Sequence, residues 1–227
     1  MDRKDMVRMT TYLVGIILLA ILIQGCTTGQ AYKTSPANQK EPITIGAVLI
    51  LTGTGSNWGQ NSRQGADLAV KELNAEGGVL GRQLKMDYED NPNDYPASAV
   101  TALNSLTAKD VKIVIGTTWS TSGLAVAPIA CDERILMISP TLGMADFNER
   151  CDYLQNIWPH DATLSAELGR HIYNKGHRRL AILGSQQNWE EEQARAVMKG
   201  FEEAGGKTVA FELPAGDSQD FKTELLT

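Results

Sequence analysis

Apolar and polar positions along this chain follow two periods, one suited to strands and one to helices. Ile43–Leu51 (I-T-I-G-A-V-L-I-L) is a largely apolar run, of the kind that forms a strand buried on both faces. Thr52–Gln60 is a Gly-rich loop. Over Asn61–Glu76, Ala66, Ala69, Val70 and Leu73 recur at intervals of three and four, which predicts a helix stopped by Gly77-Gly78. Gln83–Glu89 alternates Leu84, Met86 and Tyr88, a second strand, and Asp90–Pro96 is an acidic loop rich in Pro and Asn. The same reading gives a helix at Ala97–Lys109, a strand at Val111–Ile115, a helix at Gly123–Glu133 and a short strand at Ile135–Ile138 closed by Ser139-Pro140. The order β-α-β-α-β-α-β predicts an α/β fold, a Rossmann-like doubly wound parallel sheet with right-handed crossovers.

Leu154–Trp158 is a short extended stretch ending at Pro159, read as a crossover. Beyond it the pattern predicts a helix at Asp161–Lys175, a strand at Arg179–Leu183 and a helix at Glu190–Ala204. A strand at Lys207–Glu212 and the start of a helix at Phe221–Leu226 complete it. The expected organisation is therefore a lobe at 43–158 and the start of a second α/β lobe at 159–227. That second lobe is incomplete, so the sequence is read as part of a longer protein.

The first residues carry a targeting signal. Arg3, Lys4 and Arg8 precede an apolar stretch, Tyr12–Ile23, of the length of a signal-peptide core. Ile23-Gln24-Gly25-Cys26 resembles a bacterial lipobox, with Gln24 the less usual residue. The alternative is an uncleaved membrane anchor in which Cys26 has no such role. On the lipobox reading 1–25 is a lipoprotein signal peptide, Cys26 is lipidated, and 26–42 is a polar tether. The rest of the chain is then exported and lipid-anchored at a membrane of the cell envelope. In that compartment Cys131 and Cys151 are a candidate disulfide, with two buried free thiols as the alternative.

Charge narrows the partners. The net charge is −6 and no basic patch is visible, which argues against nucleic acid. No phosphate loop, no nucleophile elbow and no metal-ligand spacing occurs, so no enzyme, cofactor or metal is expected. His160, His171 and His177 read as solvated or capping residues. Asp87, Glu89, Asp90 and Asp94 read as an acidic, solvated strand end rather than a cation site. The stretch with most chemistry is Val111–Ser122. A strand ends at Gly116, and Thr117, Thr118, Ser120, Thr121 and Ser122 then place five hydroxyls around Trp119 before a helix. A helix start has unpaired N–H groups and favours negative charge, so this junction is a candidate anion site as well as a cap. With Thr52–Gln60 and Ser139–Met144 it makes three loops at strand ends, where ligands of such sheets bind.

Longer motifs add a resemblance. They are I-G-A-V-L-I-L-T-G at Ile45–Gly53, G-A-D-L-A-V-K-E-L-N-A-E-G-G-V-L-G-R at Gly65–Arg82, Y-E-D at Tyr88–Asp90 and A-P-I-A at Ala127–Ala130. I-L-M-I-S-P at Ile135–Pro140, A-I-L at Ala181–Leu183 and D-F-K at Asp220–Lys222 follow. In order and spacing, Ile43–Thr227 resembles the branched-chain amino-acid-binding family of periplasmic solute-binding proteins, of type I fold, which serve ABC importers. The resemblance implies two lobes that close on a ligand and a permease partner in the membrane. It implies a carboxylate-binding role for Ser120, with Thr118 and Thr121 as secondary or capping residues. Trp58 corresponds to an aromatic over the cleft and Trp189 to a cleft aromatic of the second lobe. Thr141 and Gly143 lie where ligand amino and carboxyl groups are contacted. Gly143 stands where amino-acid binders usually have Thr, and Asn188-Trp189-Glu190 replaces a frequent Tyr-Gly pair. The family's own first-lobe disulfide is absent, its positions falling near Pro92 and on Trp119. The acidic partner of the ligand ammonium is expected in the part beyond residue 227. Relatives of this fold take amides, urea or aromatic acids, and some act as sensors, so sensing is the alternative to transport.

Overall fold

The computed structural model describes residues 41–226. Tyr12–Ile23, Cys26 and the tether up to residue 40 lie outside the described residues. Five strands form one parallel sheet: β1 (Ile43–Leu49), β2 (Leu84–Asp90), β3 (Ile113–Gly116), β4 (Leu136–Ser139) and β5 (Leu154–Asn156). Their spatial order is β2-β1-β3-β4-β5, with Ala47 facing Tyr88 on one side and Ile115 on the other. The chain thus leaves β1 first to one side and then to the other. The crevice between β1 and β3, beyond their carboxyl ends, is the switch point at which such sheets bind ligands.

Helices α1 (Ser56–Ala75), α2 (Pro96–Ala108) and α3 (Ser120–Asp132) make the crossovers, and α4 (Ala145–Glu149) is a short helix before β5. Ala47, Val48, Leu49 and Ile50 are all fully buried, as expected for a central strand covered on both faces. Leu103, Leu106, Val114, Val126, Ile135, Met137, Phe147 and Leu154 complete the core. A disulfide joins Cys131, near the end of α3, to Cys151, just before β5. Both pack against that core.

A second parallel pair, β6 (Arg179–Leu183) and β7 (Lys207–Glu212), is flanked by α5 (Asp161–Asn174) and α6 (Asn188–Glu203), and α7 (Lys222–Leu225) follows. Helices α5 and α6 meet at two glycines. A Cβ on Gly169 would strike the Val197 carbonyl, and one on Gly200 the Ala166 carbonyl, so the backbones touch directly.

Four departures from the sequence expectation matter for the site. Helix α1 begins at Ser56, not Asn61, so Trp58 sits on its first turn rather than on a loop. Helix α3 begins at Ser120, not Gly123, so Ser120, Thr121 and Ser122 are its first turn. A 3₁₀ turn, Pro92–Asp94, lies within the loop expected at Asp90–Pro96, and α4 had no periodic signal because it is only five residues long.

Candidate ligand-binding site

A cavity of about 560 Å³ opens at the carboxyl ends of the strands. The segment after each of the first six strands reaches its wall: Trp58 after β1, Asn93 to Pro96 after β2, Trp119 to Thr121 after β3, Thr141 and Gly143 after β4. Trp158 and Asp161 follow β5, and Gln187, Trp189 and Glu190 follow β6. All four tryptophans of the chain are among these residues.

The five hydroxyls at the β3–α3 junction have different fates. Thr117 Oγ1 donates to the Trp119 carbonyl at 2.8 Å. Thr118 is fully buried, and its Oγ1 accepts the Ile50 N–H at 2.9 Å. Thr118 is therefore corrected: its side chain ties β3 to β1 and does not line the cavity. Ser122 Oγ donates to Asp94 Oδ1, and the Ser122 N–H reaches Asp94 Oδ2 at 3.4 Å. Thr121 bonds the same carboxylate through backbone and side chain. Ser120 lines the cavity, and of the five its hydroxyl alone has no hydrogen-bond partner among the described residues.

The anion attracted by the start of α3 is in part the chain's own. Asp94 is 7% exposed and supplies the carboxylate that caps this helix from 28 residues away in sequence. Burial pushes its carboxyl above the usual range, and the bonds from Ser122 and Thr121 pull it partly back. The reading of Asp90 and Asp94 as solvated is thereby corrected. Asp90 Oδ1 accepts the Leu51 and Thr52 N–H groups at 2.8 and 3.2 Å, and its Oδ2 accepts Thr52 Oγ1 at 2.6 Å. Asn93 Oδ1 accepts the Thr54 N–H at 2.7 Å. These bonds lock the loops after β1 and β2 together under the cavity. Asp87 and Glu89, on β2 itself, share the exposed Lys109 ammonium at 2.9 and 3.1 Å.

Two glycines admit neighbours that any side chain would exclude. Gly55 has φ +83°, and a Cβ there would overlap the Trp119 ring, so glycine lets that indole lie against the β1 loop. A Cβ on Gly143 would come within 2.1 Å of Asp161 Oδ2. The absent threonine hydroxyl at 143 thus makes room for a carboxylate. Thr141 lines the cavity with its hydroxyl proton directed to the Thr118 carbonyl.

Asp161 is the residue that pattern reading missed. Trp158 Nε1 donates to its Oδ1 at 3.0 Å and Trp189 Nε1 to its Oδ2 at 2.8 Å. Trp58 meets Trp158 edge-on, with ring centroids 6.0 Å apart. The acidic partner of a ligand ammonium was expected beyond residue 227; Asp161 is an acidic residue within this wall. Its signal in the sequence was weak: Asp at the first position of a helix reads as a capping charge. Among the described residues the wall carries three carboxyl groups, Asp94, Asp161 and Glu190, and no Lys, Arg or His. Glu192, on α6, has its carboxyl raised by burial first and then by Asp146 and Asp161, an effect of the same negative field.

A parallel α/β sheet with a cleft at its switch point, continued into a second βα unit across that cleft, is the layout of a hinged ligand-binding protein. The family model for periplasmic binding proteins matches residues 42–227, and the chain belongs to that family. It is similar to the Leu/Ile/Val-binding protein of Escherichia coli, with 29% identity over 204 residues, 89% of this chain and 54% of the relative. Among solved structures it is similar to the branched-chain amino acid transporter substrate-binding protein LivJ of Streptococcus pneumoniae in complex with isoleucine. There the TM-score is 0.69 at 25% identity, covering 82% of this chain and 53% of that one. A solute-binding protein of an ABC transporter from R. palustris, in complex with 4-hydroxybenzoate, shares the fold with TM-score 0.72 at 21% identity, over 80% and 49% of the two chains. The chain spans about half the length of the curated relatives it matches.

Proposed function

We propose that this chain is the ligand-capturing part of an exported substrate-binding receptor serving an ABC importer. Its ligand is an amino acid or a similar small carboxylate. The observation that carries the reading is the cleft itself, with Ser120 on the first turn of α3 holding the one uncommitted hydroxyl of five. Ser120 donates to the ligand carboxylate from the first turn of α3, and Thr121 supports it while bonded to Asp94. Thr141 and Gly143, against which the Asp161 carboxylate packs, shape the wall beside them. Trp58 and Trp189 flank the ligand. Residues 43–158 form the first lobe and 159–227 open the second, and closure of the two is a population shift driven by contacts that only the closed form makes to both. Capture needs no bond-making step, so no catalytic residue or cofactor is assigned. Cys26 carries the lipid, 26–42 tethers the receptor to the envelope membrane, and the partner is a permease in that membrane.

The test is calorimetric titration of the complete mature receptor with leucine, isoleucine, valine and small amides. Ser120→Ala should weaken a carboxylate ligand by about 1.5–3 kcal/mol, the range for a hydrogen bond to a charged group. Unchanged affinity would remove Ser120 from the site, and binding of amides without any carboxylate would remove the carboxylate clamp. Cys26→Ser should move the receptor from the membrane fraction to the soluble one.

A further inference from the structure

We infer that the cleft contains a subsite for an N-alkylated ammonium group, built from Asp161 and the indoles of Trp58, Trp158 and Trp189. The inference rests on the receptor reading above and names the cationic end of its ligand. Three observations carry it. Among the described residues the cavity wall carries Asp161 and Glu190 beside the buried Asp94 and no basic side chain, so its field favours a cation. Asp161 is held in place from both sides, by Trp158 Nε1 at 3.0 Å and Trp189 Nε1 at 2.8 Å. Trp58 stacks edge-on against Trp158 in the same wall, so three indoles gather at one carboxylate. Gly143 is what lets that carboxylate in, since a side chain there would meet Asp161 Oδ2.

The chemistry distinguishes among ammonium groups. A primary ammonium has three N–H donors and needs acceptors placed to receive them. Each Asp161 oxygen already accepts an indole N–H and keeps one lone pair, so Asp161 can meet at most two of the three donors. An alkylated ammonium makes no such demand. It needs negative charge nearby and the face of an aromatic ring within about 6 Å; Asp161 supplies the charge, and the indoles lining the wall beside it are the rings to supply the face. An aromatic acid would find the same indole surface but would bring another negative charge among the three acidic groups. A small zwitterion with its carboxylate at Ser120 and an N-methylated cation at Asp161 uses both ends of the cleft.

The experiment is titration of the complete mature receptor with trimethylglycine, choline, leucine and 4-hydroxybenzoate. Trimethylglycine should bind at least tenfold more tightly than leucine. Asp161→Asn, which keeps the shape and removes the charge, should weaken it at least tenfold. Trp58→Leu, which leaves the Asp161 hydrogen bonds intact, should weaken it several-fold and guards against misfolding of the first variant. Choline binding as tightly as trimethylglycine supports the subsite while overturning the carboxylate end of the receptor reading. Binding of leucine or 4-hydroxybenzoate with neither methylated cation overturns the subsite and leaves the receptor reading standing. No binding by any of the four overturns both.

Discussion

Gly143→Ala isolates the relation between the missing side chain and the carboxylate it admits. The backbone at Gly143 is not in the left-handed region, so alanine brings no conformational strain of its own. The added methyl would fall 2.1 Å from Asp161 Oδ2, and the carboxylate must retreat by more than about 1 Å to reach ordinary van der Waals distance. The indole bonds now at 3.0 and 2.8 Å then stretch beyond hydrogen-bonding range. Bonds to a charged group are worth about 1.5–3 kcal/mol each, but both indoles are exposed to about two-fifths of their surface and water replaces part of the loss. A cost of about 1–3 kcal/mol for the pair is expected, with the midpoint lowered by about 2–4 °C per kcal/mol for a unit of this size. The decisive assay is the indole region of a ¹⁵N correlation spectrum. Of four indole signals, those of Trp158 and Trp189 should move upfield as they lose the carboxylate. Those of Trp58 and Trp119 should move less. If the Trp158 and Trp189 signals stay in place, Asp161 was not held by them and the account of Gly143 fails.

Three further predictions test the scaffold beneath the cleft. Ser122→Ala removes the hydroxyl bonded to buried Asp94 and should destabilise by about 1–3 kcal/mol in urea titration; a change under about 0.3 kcal/mol would show that bond to be idle. Burial raises the Asp94 carboxyl, so between the ordinary carboxylate pKa and the raised one the folded state binds more proton than the unfolded chain. Its contribution is full below the ordinary carboxylate pKa and is lost as pH rises through the raised value, so the urea midpoint should fall over that interval and Asp94→Asn should flatten the fall. Reducing the Cys131–Cys151 bridge, which closes a loop of 20 residues, should cost about 3 kcal/mol of stability; equal urea midpoints with and without reductant would deny it a stabilising role.

The hydrophobic pattern alone determined the layered α/β fold. Four consecutive apolar residues, Ala47 to Ile50, suit a strand covered on both faces, and the alternation of such runs with 3.6-period segments admits little but a parallel sheet with crossover helices. It also located the strand-to-helix junction at 111–122 with its five hydroxyls, among which the family resemblance, not the pattern, singled out Ser120. Helix starts were misplaced by three to five residues, because the first turns of α1 and α3 present polar residues and Trp58 to the cleft and so break the apolar period. The fate of each hydroxyl was beyond local reading. Thr118 is taken up by Ile50, 68 residues away, and Ser122 by Asp94, 28 residues away, so their roles depend on partners that no local window contains. The same holds for Asp161: position 161 reads as a helix cap in sequence, and only the tertiary structure brings Gly143, Trp158 and Trp189 around it. Periodicity reports which face of an element is buried, and so it determined the scaffold. The chemistry of the cleft depends on which loops meet at the strand ends, and that was decided by the packing of the whole sheet.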